Sequence, residues 1–412
     1  MPKIETLDIN WAREQFPALK NKTVFMDNAG GSQILSSVID RISHYLTNYN
    51  VQLGASYSVS QAASEELDKA IEITAQWINA NHVNEVIIGP SSTMLLRILS
   101  ICLSQQWQSG DEIIITNSDH EANMAPWKDL ARQGLVIKTW KINPKSMQFE
   151  INDLQKLITK KTKLLAMTHA SNILGSINPV NEIAQFVHDR NVMICVDGVA
   201  FAPHRLIDVK ALDVDFYVFS LYKSFGPHLA LMYGKQELLE NMPGINHDFI
   251  QSVPYKFQPG NLNYELSYSL PAIVDYINQL ASIHDSASDT QGMRERLAKG
   301  YDLIAKHEQL LVSKLLDYLN TNDAITIIGE NTADKNIRVS TLSFIHENLA
   351  SDTIVRQMDK HDIGIRFGDF YAVQLIDDLG LRDKNGVVRV SLVHYNTVEE
   401  VDRLIAGFKD IL

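Results

Sequence analysis

Cysteine is nearly absent: Cys102 and Cys195 are the only two thiols in 412 residues. That excludes a disulfide framework and fits a reducing compartment. No CxxC, HExxH or similar ligand spacing occurs among the cysteines and the 13 histidines, so no metal site is expected. Basic clusters are missing too. Lys+Arg number 37 against 49 Asp+Glu, a net charge of −12, which makes nucleic acid and anionic membrane poor partners. Long apolar runs are lacking. The most apolar stretch, residues 93–107, carries Arg97 and is too short to cross a bilayer. The leading MPKIETLDINW has acids where a signal peptide has its apolar core. A cytoplasmic location is the expectation. GxGxxG and Walker motifs are also absent, so a nucleotide is not the first ligand to expect.

What is present is an ordinary globular composition, 45% hydrophobic and 21% charged, with enough chain for two domains. A short helical arm is predicted from Trp11 to Leu19, broken at Pro17. A strand at 24–26 runs into Asp27-Asn28-Ala29-Gly30-Gly31-Ser32, a turn of small residues, and helices are expected at 34–49 and 61–80. The chain then alternates. Apolar strands at 85–88, 112–116, 135–140, 163–168 and 192–196 are interleaved with helices at 92–108, 121–133, 151–159 and 180–190, the signature of βαβ units around a mostly parallel sheet. From 265 to 320 the pattern is helical, with Gly300 inside it. Strands at 324–328, 337–344, 363–366 and 387–391 and helices at 348–360, 372–379 and 397–410 complete a smaller α+β unit. The boundary is expected near residue 290, giving a large domain of 23–290 and a small one built from 1–22 and 291–412.

The stretch 213–234, DVDFYVFSLYKSFGPHLALMYG, reads as two apolar strands around a Ser-Leu-Tyr-Lys turn. A lysine pinned there loses hydration and becomes a usable amine nucleophile, but read alone the signal of Lys223 is weak, because most turn lysines are solvated surface charges. In a parallel α/β sheet ligands gather at the carboxyl ends of the strands. After strand 85–88 the run Gly89-Pro90-Ser91-Ser92-Thr93 enters a helix, either as a phosphate cradle or as plain serine capping. His120, after strand 112–116, is placed to stack on a flat ligand or to cap the next helix. Asn172 lies in THASNILG and can donate to a ring oxygen. Asp197 ends the run VMICV, where a carboxylate is costly to bury unless paired, and a protonated pyridine nitrogen would pair it. Ser220 and Tyr222 flank the turn.

A phosphate cradle, a stacking imidazole, a ring-nitrogen carboxylate and an amine nucleophile in this order describe pyridoxal 5′-phosphate. With THASNILG, VDG and FSLYKSFGPH in place, the sequence resembles the class V aminotransferase superfamily of fold-type I enzymes, in its cysteine desulfurase-like branch, over nearly the whole chain. The resemblance implies a large domain with a mostly parallel central sheet and helices on both faces, plus the smaller α+β domain. It makes Lys223 the Schiff-base lysine, Asp197 the partner of the pyridine nitrogen and His120 the ring stacker. Ser92, Thr93, Ser220 and Tyr222 become phosphate contacts, with Tyr222 where a histidine is commoner. Asn172 holds the phenolic oxygen and Arg389, in VRVSLVHYNT, the substrate's α-carboxylate. A homodimer is implied, with Asn261 reaching the phosphate of the second subunit. The substrate pocket draws on Gly30, Asn172 and Tyr371.

Two departures carry weight. Ala200 stands where relatives offer a glutamine or histidine to the ring oxygen. Tyr371 stands where desulfurases carry the sulfur-accepting loop cysteine, and Cys102 and Cys195 lie in apolar elements that block access. The resulting expectation is a PLP enzyme that cleaves a carbon–sulfur or carbon–selenium bond of an α-amino acid by β-elimination, without a persulfide. Transamination is the alternative. Racemisation or epimerisation would need a second acid, for which Tyr371 and His394 are candidates, and a non-catalytic PLP-binding protein is the remaining class. A sulfur-acceptor partner has no residue speaking for it.

Overall fold

The structure is a computed structural model, and it describes residues 7–284 and 291–412. Among the described residues, thirteen strands form three sheets. The first strand, β1 (Val24–Phe25), is followed by β2 (Val86–Gly89), β3 (Glu112–Thr116), β4 (Val136–Trp140), β5 (Thr162–Thr168), β6 (Met193–Asp197), β7 (Phe216–Ser220) and β8 (Ala230–Gly234). Strands β2 to β8 make one seven-stranded sheet in the order β2-β8-β7-β6-β5-β3-β4. Only β8 runs against the others, pairing antiparallel with β7 and β2. The mostly parallel sheet expected from the alternation is therefore present.

Its inner strands are largely apolar on both faces because both are covered. Ile114, Leu165, Val196, Tyr217 and Phe219 face one core, which includes Ile183 and Val187 of helix Val180–His188 and Ile273 of helix Pro271–His284. Their neighbours in sequence, Ile113, Leu164, Cys195, Phe216 and Val218, face a second core under helix Ser92–Ser104 and Trp127. The expected helix over 121–133 is instead three short pieces, 121–123, 125–128 and 129–133. Pro126 sits in the first turn of the middle piece, and Gly134 closes the last at φ +88, so no continuous ladder forms across them.

The C-terminal part carries β9 (Ile325–Ile328), β10 (Thr341–His346), β11 (Ile363–Gly364), β12 (Arg366–Gly368) and β13 (Val387–Ser391). An antiparallel sheet runs β12-β13-β10-β9, and β1 pairs with β11. The strand expected at 337–344 begins only at Thr341. Ahead of it Arg338 is buried, its guanidinium donating to the carbonyls of Glu330, Leu174 and Thr341, which draws that segment onto the 174–177 loop. Val24 and Met26 pack with Leu311, Leu342, Phe344 and Phe408 in a core of their own. The arm's Arg13 pairs with Glu400 at 2.8 Å and donates to the Tyr395 carbonyl. The boundary expected near 290 falls on 285–290, outside the described residues.

Candidate active site

The C-terminal ends of β2, β3, β5, β6 and β7 converge on one pocket. Its lining includes Ser92, Thr93, His120, Asn172, Asp197, Ala200, Ser220, Tyr222 and Lys223. Eight of the nine cofactor contacts expected from sequence, all but Asn261, thus share one cleft, although they span 132 positions of chain from Ser92 to Lys223.

Lys223 rides on the connection between β7 and β8. Because β8 returns beside β7, the connection is clamped at its base, where Leu221 N–H donates to Leu229 O at 2.8 Å and Gly226 N–H to Leu221 O at 3.0 Å. From the other side Ser32 grips the same loop: its N–H donates to Tyr222 O and its hydroxyl accepts from Phe225 N–H. Burial, with a smaller contribution from the Arg389 guanidinium, pushes the Lys223 amine down to about 8.

Asp197 is buried at the tip of β6, where its Oδ1 accepts from Val199 N–H at 2.8 Å. Burial raises its carboxyl to about 6, opposed by that backbone bond and by Lys223. His120 answers both sequence alternatives in part. Its Nδ1 accepts from Ala122 N–H at 3.0 Å, so it caps the following turn, and its ring still lines the pocket. Burial and the nearby Lys223 and Arg389 lower it to about 4, which leaves a neutral ring carrying its proton on Nε2. The serines divide the work at the helix start. Ser91 is the cap, accepting from Met94 N–H, whereas Ser92 Oγ lies 2.8 Å from Ser220 Oγ, facing the pocket.

The other wall comes from the C-terminal sheet. Arg389 on β13 is 2% exposed. It donates to Asp27 Oδ1 at 2.7 Å and to Asn172 O at 3.3 Å, and stacks its guanidinium 3.7 Å from the Phe370 ring centre. Asn172 Nδ2 donates to Phe370 O at 2.9 Å. Tyr371 is 65% exposed, its ring 5.1 Å from that of His120. Gly30 faces the Asp27 carboxylate. Asn261 is not in the pocket of its own chain; it bonds Gln52 and lines a separate cavity of about 500 Å³ with Met94, Ile101, Phe257 and Leu266. That cavity is larger, but the shifted amine, imidazole and carboxyl of Lys223, His120 and Asp197 all line the smaller pocket, which makes it the candidate site. His394, the alternative second acid, is fully buried against Phe225 and Tyr276 OH, 2.6 Å away, and does not line the pocket.

Sequence reading missed three residues. Asp27 and Phe370 hold Arg389. Asp119, one position before His120, accepts from Thr168 N–H and Asn123 Nδ2 and bonds the Thr116 hydroxyl, tying β3 to β5. The available signal was an acid at the end of an apolar strand, immediately after the run 24–26 for Asp27 and three residues past Thr116 for Asp119. Two buried atoms in the cleft wall, Asn172 Oδ1 and Arg389 Nε, have no protein partner. With the Ser92–Ser220 hydroxyls at a helix start and the amine and carboxyl at their shifted values, they fit a ligand that combines a phosphate, a ring nitrogen, an aldehyde and an amino-acid carboxylate.

Fold and pocket together define an enzyme that works with pyridoxal 5′-phosphate. The chain belongs to the class V aminotransferase family, which it matches over residues 24–404. It is 41% identical to the aminotransferase-like protein FGM3 of Gibberella zeae, covering 99% of both chains. It is 32% identical to the cysteine desulfurase-like protein ustD of Aspergillus flavus, over 100% of this chain and 92% of the relative. Its fold superposes on the apo cysteine desulfurase of Thermococcus onnurineus with a TM-score of 0.86 over 98% of both chains, at 23% identity, a likeness of fold. Among the described residues no helix is long and apolar enough to cross a membrane, and no cluster of three metal-ligating side chains occurs.

Proposed function

We propose that the protein is a cysteine desulfurase-like lyase that cleaves the Cβ–S or Cβ–Se bond of an α-amino acid by β-elimination, without a persulfide cysteine. The observation that carries this reading is the thiol inventory. Position 371 is tyrosine, while Cys102 and Cys195 are both fully buried. Burial pushes the Cys102 thiol up to about 12 and the Cys195 thiol well above its ordinary value. Neither can present a thiolate to a substrate sulfur.

When bound, the cofactor supplies an electron sink for charge developing on the substrate Cα. Lys223 is the amine that would hold its aldehyde and, when free, the base that would take the Cα proton, its lowered pKa suiting that task near neutrality. Asp197, ionised above about 6, would face the ring nitrogen and keep it protonated. His120 would lie on the ring face as a neutral imidazole. Ser92, Thr93, Ser220 and Tyr222 would take the phosphate, and Asn172 the phenolic oxygen. Arg389 would anchor the α-carboxylate, with Gly30 and Tyr371 at the side-chain end of the pocket. A homodimer with shared sites completes the reading: Asn261 of a second copy would reach the phosphate, and the apolar cavity around Met94 and Ile101 is the surface such a copy would cover. A sulfur-acceptor protein is not part of the proposal.

Transamination is the competing reading, supported by the name of the 41% identical relative. Incubation with cysteine separates the two. Sulfide with pyruvate and ammonia is the expected result; a keto acid with stoichiometric conversion of the cofactor to its amine form would establish transamination instead. Lys223→Ala removes either activity.

A further inference from the structure

The carboxylate that holds Arg389 is shared with a second arginine. Asp27 opens the DNAGG turn after β1, and its Oδ1 accepts from Arg389 Nη2 at 2.7 Å. Its Oδ2 lies 3.7 Å from Arg366 Nη1. Arg366 on β12 and Arg389 on β13 are direct partners in the antiparallel ladder, so the two side chains leave the sheet on one face. They differ in surroundings: Arg389 is 2% exposed, whereas the Arg366 side chain is 57% exposed. Asp27 is intermediate, and Gly30 makes room for it, since a Cβ at position 30 would stand 3.0 Å from Asp27 Oδ2. Arg389 has donors to spare. Nη2 serves Asp27 and Nη1 the Asn172 carbonyl, while Nε is buried without a partner.

Charge counting gives this cluster a direction. Two guanidiniums and one carboxylate leave one positive charge uncompensated, and a buried guanidinium stripped of its anion is strongly unfavourable. An incoming α-carboxylate supplies the missing anion. It does not have to share Arg389, because Arg366 is within reach of Asp27.

We propose that Asp27 is the resting occupant of the substrate-carboxylate site, and that its carboxylate passes from Arg389 to Arg366 when the α-carboxylate of an amino acid docks on Arg389. The proposal rests on the reading of Arg389 as the carboxylate anchor. After the exchange each guanidinium holds one carboxylate. Before it, Asp27 competes intramolecularly, at an effective concentration on the order of millimolar or more, so a bare carboxylate is turned away while an amino acid, held also at its amino end, prevails. Asp27 is then a positioning residue that filters ligands.

The test uses Asp27→Asn, Arg366→Gln and their double variant, with kcat and KM on cysteine, and calorimetric titration of propionate into the cofactor-free and the loaded protein. With Asp27→Asn, propionate should bind about tenfold tighter or more, and KM should fall with kcat within about threefold, the signature of changed ground-state binding. Arg366→Gln should raise KM about fivefold in the parent, yet by less than about twofold in the Asp27→Asn background, because the exchange it serves is gone. Asp27→Ser is the second variant, in case the amide itself pairs with Arg389. A raised KM with unchanged or weaker propionate binding in both Asp27 variants would show that Asp27 merely orients Arg389. An equal Arg366→Gln penalty in both backgrounds would show that Arg366 touches substrate directly. Either result overturns the exchange and leaves the anchor reading standing. Arg389→Lys with unchanged KM and unchanged propionate binding would instead remove the anchor, and both readings with it.

Discussion

Lys223 and Asp197 owe their chemistry to depth: Asp197 ends β6 and Lys223 follows β7 by one short turn, and burial takes both ionisable groups away from water. For Lys223 the consequence is kinetic. Only the neutral amine captures an aldehyde, so the rate at which cofactor-free protein takes up pyridoxal 5′-phosphate should climb roughly tenfold per pH unit below the amine pKa and level off near pH 8. Stopped-flow absorbance measures it. A solvated lysine would keep accelerating towards the ordinary lysine value of 10.5. For Asp197 the consequence is thermodynamic. Its carboxyl is raised from 3.8 to about 6 in the fold, so the folded state prefers the proton, and the stability tied to that preference is present below 3.8 and lost as pH rises through 6. Asp197→Asn should therefore stabilise the cofactor-free protein at pH 7.5, by on the order of 3 kcal/mol, with the advantage shrinking between pH 6 and 4. The same variant should bind cofactor more weakly. Calorimetric melting across pH, with and without cofactor, checks both. These two residues were legible because an acid closing an apolar run and a lysine in a short turn between two such runs are conspicuous along the chain. The Asp27–Arg389 pair was not, since its partners are 362 residues apart and meet only through the register of β12 and β13 and the turn after β1.

Elements differ in how much of themselves they display. The inner strands of the large sheet read correctly because they are mostly short apolar runs between turn residues, whereas edge strand β4, VIKTW, mixes apolar and polar residues. The segment 121–133 misled because its apolar spacing is helical while Pro126 and the caps at His120 and Gly134 divide it. The loop over the site was also unreadable: Phe370 and Tyr371 both adopt left-handed backbone, at φ +50 and +61, a cost of roughly 1–3 kcal/mol each. Asn172 holds the carbonyl of the first, and Glu121 N–H holds that of the second at 2.8 Å. Gly300 shows propensity yielding to packing. It lies inside helix Met293–Leu319, where alanine is the better helix former by about 1 kcal/mol. Yet a Cβ there would stand 2.6 Å from Ile277 O, on the neighbouring helix Pro271–His284. Gly300→Ala should destabilise the protein by about 1–3 kcal/mol, read as a lowered melting temperature at unchanged cofactor stoichiometry.

Across the whole molecule, the pocket is built from one wall of parallel strand ends and one of antiparallel sheet, and the apolar cavity beside it points outward. Met94 and Ile101, 47% and 45% exposed, line that cavity with Asn261. If a second copy covers it, Ile101→Asp should lower the mass seen by light scattering from dimer to monomer and weaken cofactor binding by about tenfold or more, as the dimer supplies Asn261. A variant that stays dimeric, or a monomer with undiminished cofactor affinity, would refute shared sites. The sealed thiols bear on where such a catalyst can work. Cys102 and Cys195 are the chain's only sulfhydryls and both lie fully inside the fold, so hydrogen peroxide and iodoacetamide meet no thiolate at the reaction centre. Pretreatment with either reagent, quenched before substrate is added, should leave turnover intact at doses that silence an enzyme passing sulfur through a loop cysteine, so a catalyst of this build would keep working after oxidative exposure.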